Sequence, residues 1–456
     1  MLVTSRFDRF LDAPFKTFFL LWTPVLFSQI AEPLTGLVDT AFIARLGTNE
    51  LAALGVGAVV MSSVLAVFNF LAVGSQTEIS QSYGRKDFST GKRIGSLALF
   101  LAILIGSGIG IVIFIFGSGI STLMGANEDI ISHSVTYIRF RAIGLPAVLI
   151  TITSFGILYG LGNMRMPMLI AIAINIMNIV LDYILIFGYG PFPALGIAGA
   201  AIASAASQWT GTVFCLAIIH KKLGFIFDID ISDIKKLMKI GQDMFFRTGS
   251  LIVFLLLATR SATQLGPDAG AAHQAIRQVW VFTTLFLDSS AITAQSLIGY
   301  YFGPGRFDKA RIVARMVCIW SLLIGVALTT VMLLYSSLFA GLLVPLSGAA
   351  FFYPAWSVSA VFQPVAAIAF VTDGIHWGTG DFRYLRNAVI VATIIGLSLL
   401  LTAEAVDKQS LTLIWWITGF WLLVRSVFGT IRIWPGTSRC PLWLSTRVSF
   451  SRRSGQ

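Results

Sequence analysis

The stretch PLTGLVDTAFIARLG, Pro33–Gly47, closes the first long apolar run of the chain, which covers residues 18–46. This run contains Gln29, Glu32 and Asp39, spaced three and seven residues apart, so a helix would place these side chains on one stripe. An ionised carboxylate is costly in hydrocarbon, and such groups face a protein interior or a water-filled cavity. We therefore expect the stripe to bind a cation or a proton. The alternative is that a buried basic partner neutralises the carboxylates.

The composition of the chain excludes a soluble globular protein. Of the 456 residues, 56% are hydrophobic and 12% are charged. The three Cys and four His residues are scattered, without the spacing of a disulfide framework or a zinc site, so we expect no metal and no cofactor. Basic residues precede the first apolar run, as in a signal peptide. Because that run is too long and contains two carboxylates, we expect it to be a retained helix.

Recurring apolar runs predict an all-α integral membrane protein with twelve transmembrane helices. Several runs exceed the ~20 residues needed to cross a bilayer, so we expect some helices to tilt or to extend beyond it. The predicted spans lie near residues 16–46, 51–83, 91–117, 129–160, 167–188, 195–220, 240–265, 270–301, 309–335, 352–378, 384–402 and 410–433.

The basic residues predict the orientation of these spans. One set of alternate connections, with both termini, contains 24 of the 32 Lys and Arg residues, whereas the opposite connections contain only Arg45 and Lys408. Cytoplasmic loops carry such an excess of basic residues, so both termini are predicted to be cytoplasmic in a multi-pass protein of the cell (inner or plasma) membrane. The net charge of +11 is mostly this bias, and we expect no nucleic-acid partner.

The two halves of the chain repeat each other. A shift of 219 residues places ten residues on identical ones without a gap, for example Lys16 on Lys235 and Gly47 on Gly266. Six spans in each half with the same orientation predict two six-helix bundles related by a parallel internal repeat. The predicted domains are an N-terminal bundle, a cytoplasmic linker with a short amphipathic helix, a C-terminal bundle and a basic cytoplasmic tail, at residues 1–221, 222–239, 240–433 and 434–456.

Three segments carry a resemblance to a known family. They are the opening stretch PLTGLVDTAFIARLG, INIMNIVLDYILIFG in the fifth span and PVAAIAFVTDGIHWGTGDFRYLRN in the tenth. Together with the duplication of six spans, they resemble the multidrug and toxic compound extrusion (MATE) family, most closely its DNA-damage-inducible (DinF) branch. The resemblance covers nearly the whole chain. It implies a secondary active antiporter that exports small organic compounds, cationic or amphiphilic, in exchange for protons by alternating access, with sodium as the alternative coupling ion. We expect a monomer in contact with membrane lipid.

The resemblance also implies a site in the N-terminal bundle. The family's first-span Asp matches Asp39, its fifth-span Asn-x-x-x-Asp matches Asn178 and Asp182, and a fourth-span Tyr matches Tyr137.

A hinge is implied as well, because the first span of such transporters bends at a proline when the site is protonated. Pro24 and Pro33 are the two candidates. In the branch best known for sodium coupling, the seventh span carries a Glu. Here that region contains Arg247 instead, although Asp373 matches the same branch's Asp in the tenth span. This departure argues against a sodium site in the C-terminal bundle.

The residues of the fifth span lead to the same site without the resemblance. Asn175, Asn178 and Asp182 are spaced three and four residues apart and form one polar stripe. Counted from the outer turns at 1.5 Å per residue, Asp39 and Asp182 lie at depths of about 12 and 9 Å, so one cavity can contain both. Two carboxylates in one desolvated site disfavour double ionisation, which favours proton exchange. Sodium remains an alternative ion for this site, since Asn178 and backbone carbonyls offer further oxygen ligands. For Asn175, hydrogen bonding between packed helices is the alternative.

Other charges within the spans are possible secondary sites. They are Glu32, Asp288, Asp373 and Arg141, and Arg141 either neutralises a carboxylate or meets an anionic substrate. Asp243 and Arg247 are four residues apart and predict a local ion pair. Arg425, near the end of a span, is expected to extend its head group towards the membrane surface.

Two other classes of protein fit less well. An intramembrane aspartyl protease requires a Tyr-Asp motif on one span and a Gly-x-Gly-Asp motif on a later one. Gly378–Asp381 reads Gly-Thr-Gly-Asp, but it falls in a loop and no Tyr-Asp is present. A flippase for lipid-linked or anionic substrates would favour a strongly cationic cavity, whereas acids and arginines within the spans balance here.

The predicted orientation can be tested by cysteine labelling. Single cysteines placed within residues 84–86, 221–223 and 303–306 should be inaccessible to a membrane-impermeant reagent in intact cells, because basic connections stay on the cytoplasmic side. Labelling of any of the three from outside would contradict the twelve-span topology.

Overall fold

The computed structural model describes residues 7–226, 228, 230–434 and 440–443. This part of the chain forms fifteen α-helices and three short 3₁₀ helices, and it contains no strand. Most of the tail predicted for residues 434–456 lies outside the described residues. The helices are α1 Pro14–Ile43, α2 Thr48–Phe68, α3 Phe70–Arg85, α4 Phe88–Leu123, α5 Glu128–Gly160, α6 Arg165–Phe187, α7 Ile197–Lys222, α8 Ile231–Gln264, α9 Pro267–Phe302, α10 Phe307–Leu334, α11 Ser336–Leu343, α12 Ala349–Val361, α13 Gln363–Thr379, α14 Phe382–Ala405 and α15 Leu411–Ile433.

The helices include ten or eleven apolar spans where twelve were predicted. Ten segments of the described chain are long and apolar enough to cross a membrane, with α2 and α3 counted as one. The α12 and α13 helices, bent by 45° relative to each other, make an eleventh. Pro364 in the first turn of α13 explains this break, since proline lacks the backbone donor that a continuous helix would use. With its 30 residues, α1 is long enough to be the twelfth, although its polar stripe and two prolines lower its mean hydropathy.

The chain divides into two compact units, and two helices are shared between them. The N-terminal unit is Thr23–Gly241, and the C-terminal unit consists of the described residues up to Trp22 together with those from Gln242 onward. The division points fall within α1 and α8 and lie 219 residues apart, which is the shift of the sequence repeat. These bounds differ from those expected at residues 221 and 240.

Side-chain contacts explain why the start of α1 groups with the C-terminal unit. Phe7 is fully buried, and its carbonyl accepts a hydrogen bond of 2.7 Å from the Tyr301 hydroxyl. The Phe15 ring packs edge-on against Trp320 with centroids 4.9 Å apart. The Trp22 indole donates a hydrogen bond of 3.2 Å to the Phe286 carbonyl of α9.

The start of α8 is bound to the N-terminal unit in a corresponding way. Lys236 forms an ion pair of 2.6 Å with Glu78 of α3, and Arg93 of α4 forms one of 2.8 Å with Asp233. Leu237 is buried against Gly74 of α3. The amphipathic segment expected in the linker is therefore the first part of α8, packed by its apolar face and by ion pairs.

Both units contain the same close contact between helices. A Cβ atom on Gly156 of α5 would collide with the carbonyl of Ala72 of α3, and one on Gly374 of α13 would collide with the carbonyl of Ala291 of α9. The two glycines are 218 residues apart and the two alanines 219 apart. Small residues let helix backbones approach closely in membrane proteins. The sequence repeat thus corresponds to a repeated packing of helices.

The charges buried in the C-terminal unit form ion pairs that differ from those expected. Arg247 pairs with Asp373, whose Oδ2 also accepts a hydrogen bond of 3.0 Å from Arg425. Asp243 pairs instead with Arg386 of α14 at 2.6 Å. The predicted pair of Asp243 with Arg247 is therefore wrong, because contacts with other helices outweigh the spacing along α8. Arg425 does not reach the membrane surface either; it is buried against Asp373.

Replacing Asp373 by Asn should destabilise the protein strongly, because two buried guanidinium groups would lose their carboxylate. Breaking a buried ion pair costs about 3–5 kcal/mol, which should lower the unfolding temperature in detergent by several degrees. Asp308→Asn is the control. The Asp308 side chain is 89% exposed and pairs locally with Arg311, so its loss should cost less than about 1 kcal/mol. Equal unfolding temperatures for both variants would contradict a structural role of the Asp373 pairs.

Candidate functional site

A cavity of about 350 Å³ lies inside the N-terminal unit between α1, α2, α5, α6 and α7. Its volume is at the lower end of the ~300–1,000 Å³ typical of pockets for drug-sized ligands. Apolar side chains of α2 and α6 line part of it. The polar stripe of α1 faces it, and so does the stripe of α6. The lining includes Glu32, Asp39, Tyr137, Arg141, Asn175 and Asn178.

Asp39 of α1 lines this cavity and lies beside Asp182 of α6. Asp39 is 8% exposed and Asp182 is fully buried, and their carboxyl groups are close enough to act on each other. Oδ1 of Asp39 and both oxygens of Asp182 lack a hydrogen-bond donor among the described residues. Neither carboxylate forms an ion pair with a described Lys or Arg, so the alternative of a directly paired basic partner does not apply. Two ionised carboxylates in contact repel each other, and this arrangement therefore favours a shared proton or a bound cation.

The two asparagines of α6 have different surroundings. Asn175 donates a hydrogen bond of 2.7 Å to the Ala31 carbonyl and accepts one from the Thr35 hydroxyl, so it connects α6 to α1. Asn178 is buried and donates a hydrogen bond of 3.4 Å to the Ser204 hydroxyl of α7. Its Oδ1 has no donor among the described residues. Asn178 thus leaves an oxygen available at the cavity, whereas Asn175 connects two helices.

Tyr137 of α5 is buried where α2 crosses close by. A Cβ atom on Gly57 of α2 would collide with the Tyr137 ring, so glycine at this position makes room for the ring. Sequence reasoning had not singled out Gly57, and it had also missed Ser204 and Gln208 of α7, which line the cavity. The spacing of Ser204 and Gln208 by four residues is a helical signal that would have identified this face.

Both hinge candidates lie within α1, which is continuous from Pro14 to Ile43. Each proline removes one backbone donor from the helix. Pro24 is the second residue after the point where α1 passes from one unit to the other. One turn later, the Ser28 hydroxyl donates 2.6 Å to the Val25 carbonyl and contacts the Tyr159 hydroxyl at 2.7 Å. A hinge at Pro24 or Pro33 stays a prediction.

The structure places the four possible secondary residues in different units. Glu32 and Arg141 line the cavity, but Asp288 and Asp373 belong to the C-terminal unit. Asp288 is half-buried on α9 and Asp373 is bound by two arginines. Within the described part of the chain, no group of three or more His, Cys, Asp or Glu side chains could hold a metal ion.

Comparisons with known proteins identify the family. The family model MatE matches residues 24–184 and 246–402, which is most of the chain. Protein DETOXIFICATION 44, chloroplastic, from Arabidopsis thaliana is 31% identical over 444 residues, covering 92% of this chain and 82% of that protein. The DNA damage-inducible protein F of Escherichia coli (strain K12) is 26% identical over 396 residues, covering 84% of this chain and 84% of that protein.

The fold agrees with a solved transporter structure. A crystal structure of MATE in the bent conformation matches with a TM-score of 0.84 at 20% identity, covering 92% of this chain and 95% of that one. The resemblance to the MATE family and its DinF branch is thereby confirmed, as is the all-α fold. The chain belongs to the MatE family, the multidrug and toxic compound extrusion transporters, and is a multi-pass membrane transporter rather than an enzyme.

Proposed function

We propose that the protein is a secondary active antiporter that exports small organic compounds, cationic or amphiphilic, in exchange for protons by alternating access. The observation that carries this proposal is the contact between Asp39 and Asp182 beside a partly apolar cavity, with no basic partner in the described residues. When ionised, this pair attracts a cation into the cavity. When protonated, the pair is neutral and no longer holds it.

The proton and the cationic substrate compete for one carboxylate pair, and this competition couples proton entry to substrate export. A proton that moves inward with the membrane potential supplies about 2.3 kcal/mol per 100 mV, and a pH gradient adds to this. One or two protons per cycle therefore suffice to drive export against a modest substrate gradient. A bend of α1 at Pro24 or Pro33 would link protonation to a change of the cavity, since Asp39 lies on the same helix.

The location and assembly belong to the same proposal. The positive-inside distribution supports a cell membrane location with both termini cytoplasmic. We propose that the protein works as a monomer surrounded by lipid, because the cavity is formed by helices of one unit of one chain.

Sodium is the second candidate for the coupling ion, and a specific observation favours it. Oδ1 of Asn178, Oδ1 of Asp39 and both oxygens of Asp182 lack donors among the described residues. Hard cations prefer such oxygen ligands. The same residues would then exchange a sodium ion rather than a proton.

Asp39→Asn should abolish coupled export while leaving the protein inserted and folded. Asn is nearly isosteric but cannot take up a proton, so the substitution removes the exchange and not the packing. Resistance to a toxic cation in cells, at equal expression, measures the loss.

Asp87→Asn is the matched control for this variant. Asp87 lies outside the membrane, where hydrogen bonds from Thr90 and Ser89 lower its pKa to about 2, so it is ionised at neutral pH. It caps the N-terminus of α4, a role that Asn fulfils equally well. The control should keep full resistance. Full resistance of the Asp39 variant would instead disprove the assignment of Asp39.

The affinity for a cationic substrate should fall as the pH is lowered. Protonation of the Asp39–Asp182 pair removes the negative charge that attracts the substrate, whereas Arg141 nearby stays positive. Titration of binding in detergent, with wild type and Asp182→Asn, tests this, and the variant should shift or flatten the curve. Asp308→Asn serves as the reference, because this exposed carboxylate does not line the cavity and its loss should leave the curve unchanged. If the substrate affinity does not change with pH but rises when sodium is added, proton coupling is wrong and sodium is the coupling ion.

A further inference from the structure

The charges around the cavity are of opposite sign and are not paired with each other. Asp39 and Glu32 lie on α1, and Arg141 lies on α5, one turn after Tyr137. Among the described residues that line the cavity, Arg141 is the one with a basic side chain. Arg141 acts electrostatically on Glu32, Asp39 and Asp182, but it forms no ion pair with any of them.

The isolation of Arg141 contrasts with the buried arginines of the C-terminal unit. Arg247 and Arg425 both bind Asp373, and Arg432 binds Asp381 at 2.8 Å. Arg141 makes neither a hydrogen bond nor an ion pair with a described residue, and its Nε is buried without an acceptor. A charged group that is partly removed from water is costly unless it is paired. Arg141 is therefore placed to bind an anionic group that enters the cavity.

The acids of α1 that line the cavity favour a cationic group. Glu32 faces the cavity without an ion pair in the described part of the chain, and Oδ1 of Asp39 has no donor there. A simple cation would satisfy these oxygens but would be repelled by Arg141, and a simple anion would bind Arg141 but be repelled by the acids. A molecule with both charges satisfies the acids and Arg141 together.

We infer that Arg141 is a carboxylate-binding residue of the substrate cavity and that the preferred substrates are zwitterionic organic compounds. Their cationic group faces Asp39 and Glu32, and their carboxylate faces Arg141. This inference rests on the proposed function only in taking the cavity as the substrate site; it does not depend on which ion drives transport.

Two fluorescent probes that differ by one ester test the inference. Rhodamine 110 carries a cationic ring system and a free carboxylate, whereas rhodamine 123 is its methyl ester and lacks the negative charge. Fluorescence polarisation with purified protein at neutral pH gives the affinity for each. Wild type should bind rhodamine 110 more tightly than the ester.

Arg141→Gln should weaken binding of rhodamine 110 about tenfold or more, the usual effect of losing a charge-assisted hydrogen bond. Its affinity for rhodamine 123 should stay the same or increase, since a repulsive charge is gone. Arg141→Lys should retain most of the preference. Arg139→Gln is the matched control on the same helix. The Arg139 side chain is exposed, donates to the Phe114 carbonyl at 3.1 Å and does not line the cavity, so neither probe should be affected.

The possible results separate this inference from the antiport proposal. A wild-type preference for the ester, or equal changes of both probes in Arg141→Gln, overturns the role of Arg141. That wild-type comparison remains decisive even if the variant fails to fold. Gradient-driven uptake into inverted vesicles is measured separately: zwitterion-selective binding without proton-driven or sodium-driven movement would uphold the inference while disproving antiport.

Discussion

The cost of placing charge in a medium of low dielectric constant governs both units of this protein. In the C-terminal unit each buried carboxylate of the described helices is neutralised by arginine, as Asp373 is by Arg247 and Arg425. In the N-terminal unit Asp39 and Asp182 lie beside each other, and neither forms an ion pair with a described Lys or Arg. The first arrangement fixes the packing of helices, and the second leaves a charge imbalance that a proton, a cation or a substrate can correct. Under the proposed function, structural charges have partners within the protein, whereas the charges that take part in exchange do not.

The internal repeat supplies a common scaffold, but the residues that form the acidic cavity of the N-terminal unit have different counterparts in the C-terminal unit. Asp182 corresponds by the repeat to Leu400, and Asp39 to Ala258, both of which are buried. At the position that corresponds to Thr35 lies Phe254, whose ring stacks on Trp421 with centroids 4.5 Å apart. An aromatic ring therefore packs in the C-terminal unit at the position whose counterpart, Thr35, lines the cavity in the N-terminal unit.

Sequence alone was sufficient for most of the apolar spans and for the closeness of Asp39 and Asp182, because hydropathy and helical spacing are local properties. It did not predict that the spans at residues 51–83 and 352–378 are each divided into two helices. It was not sufficient for the partners of the buried arginines. The spacing of Asp243 and Arg247 indicated an ion pair, but both side chains bind residues of other helices. Partner choice depends on which helices become neighbours, and spacing within one helix carries no such information. For the same reason the division of α1 and α8 between two units was not predicted.

That division has a consequence for the origin of the protein. The early residues of α1 pack with the C-terminal unit and those of α8 with the N-terminal unit, at positions related by the repeat. An ancestral chain of half this length could not have completed its own bundle by these contacts. It would have had to exchange the first part of its leading helix with a second copy, as in a domain-swapped dimer. Duplication and fusion would then have made the exchange permanent within one polypeptide, after which each half was free to specialise.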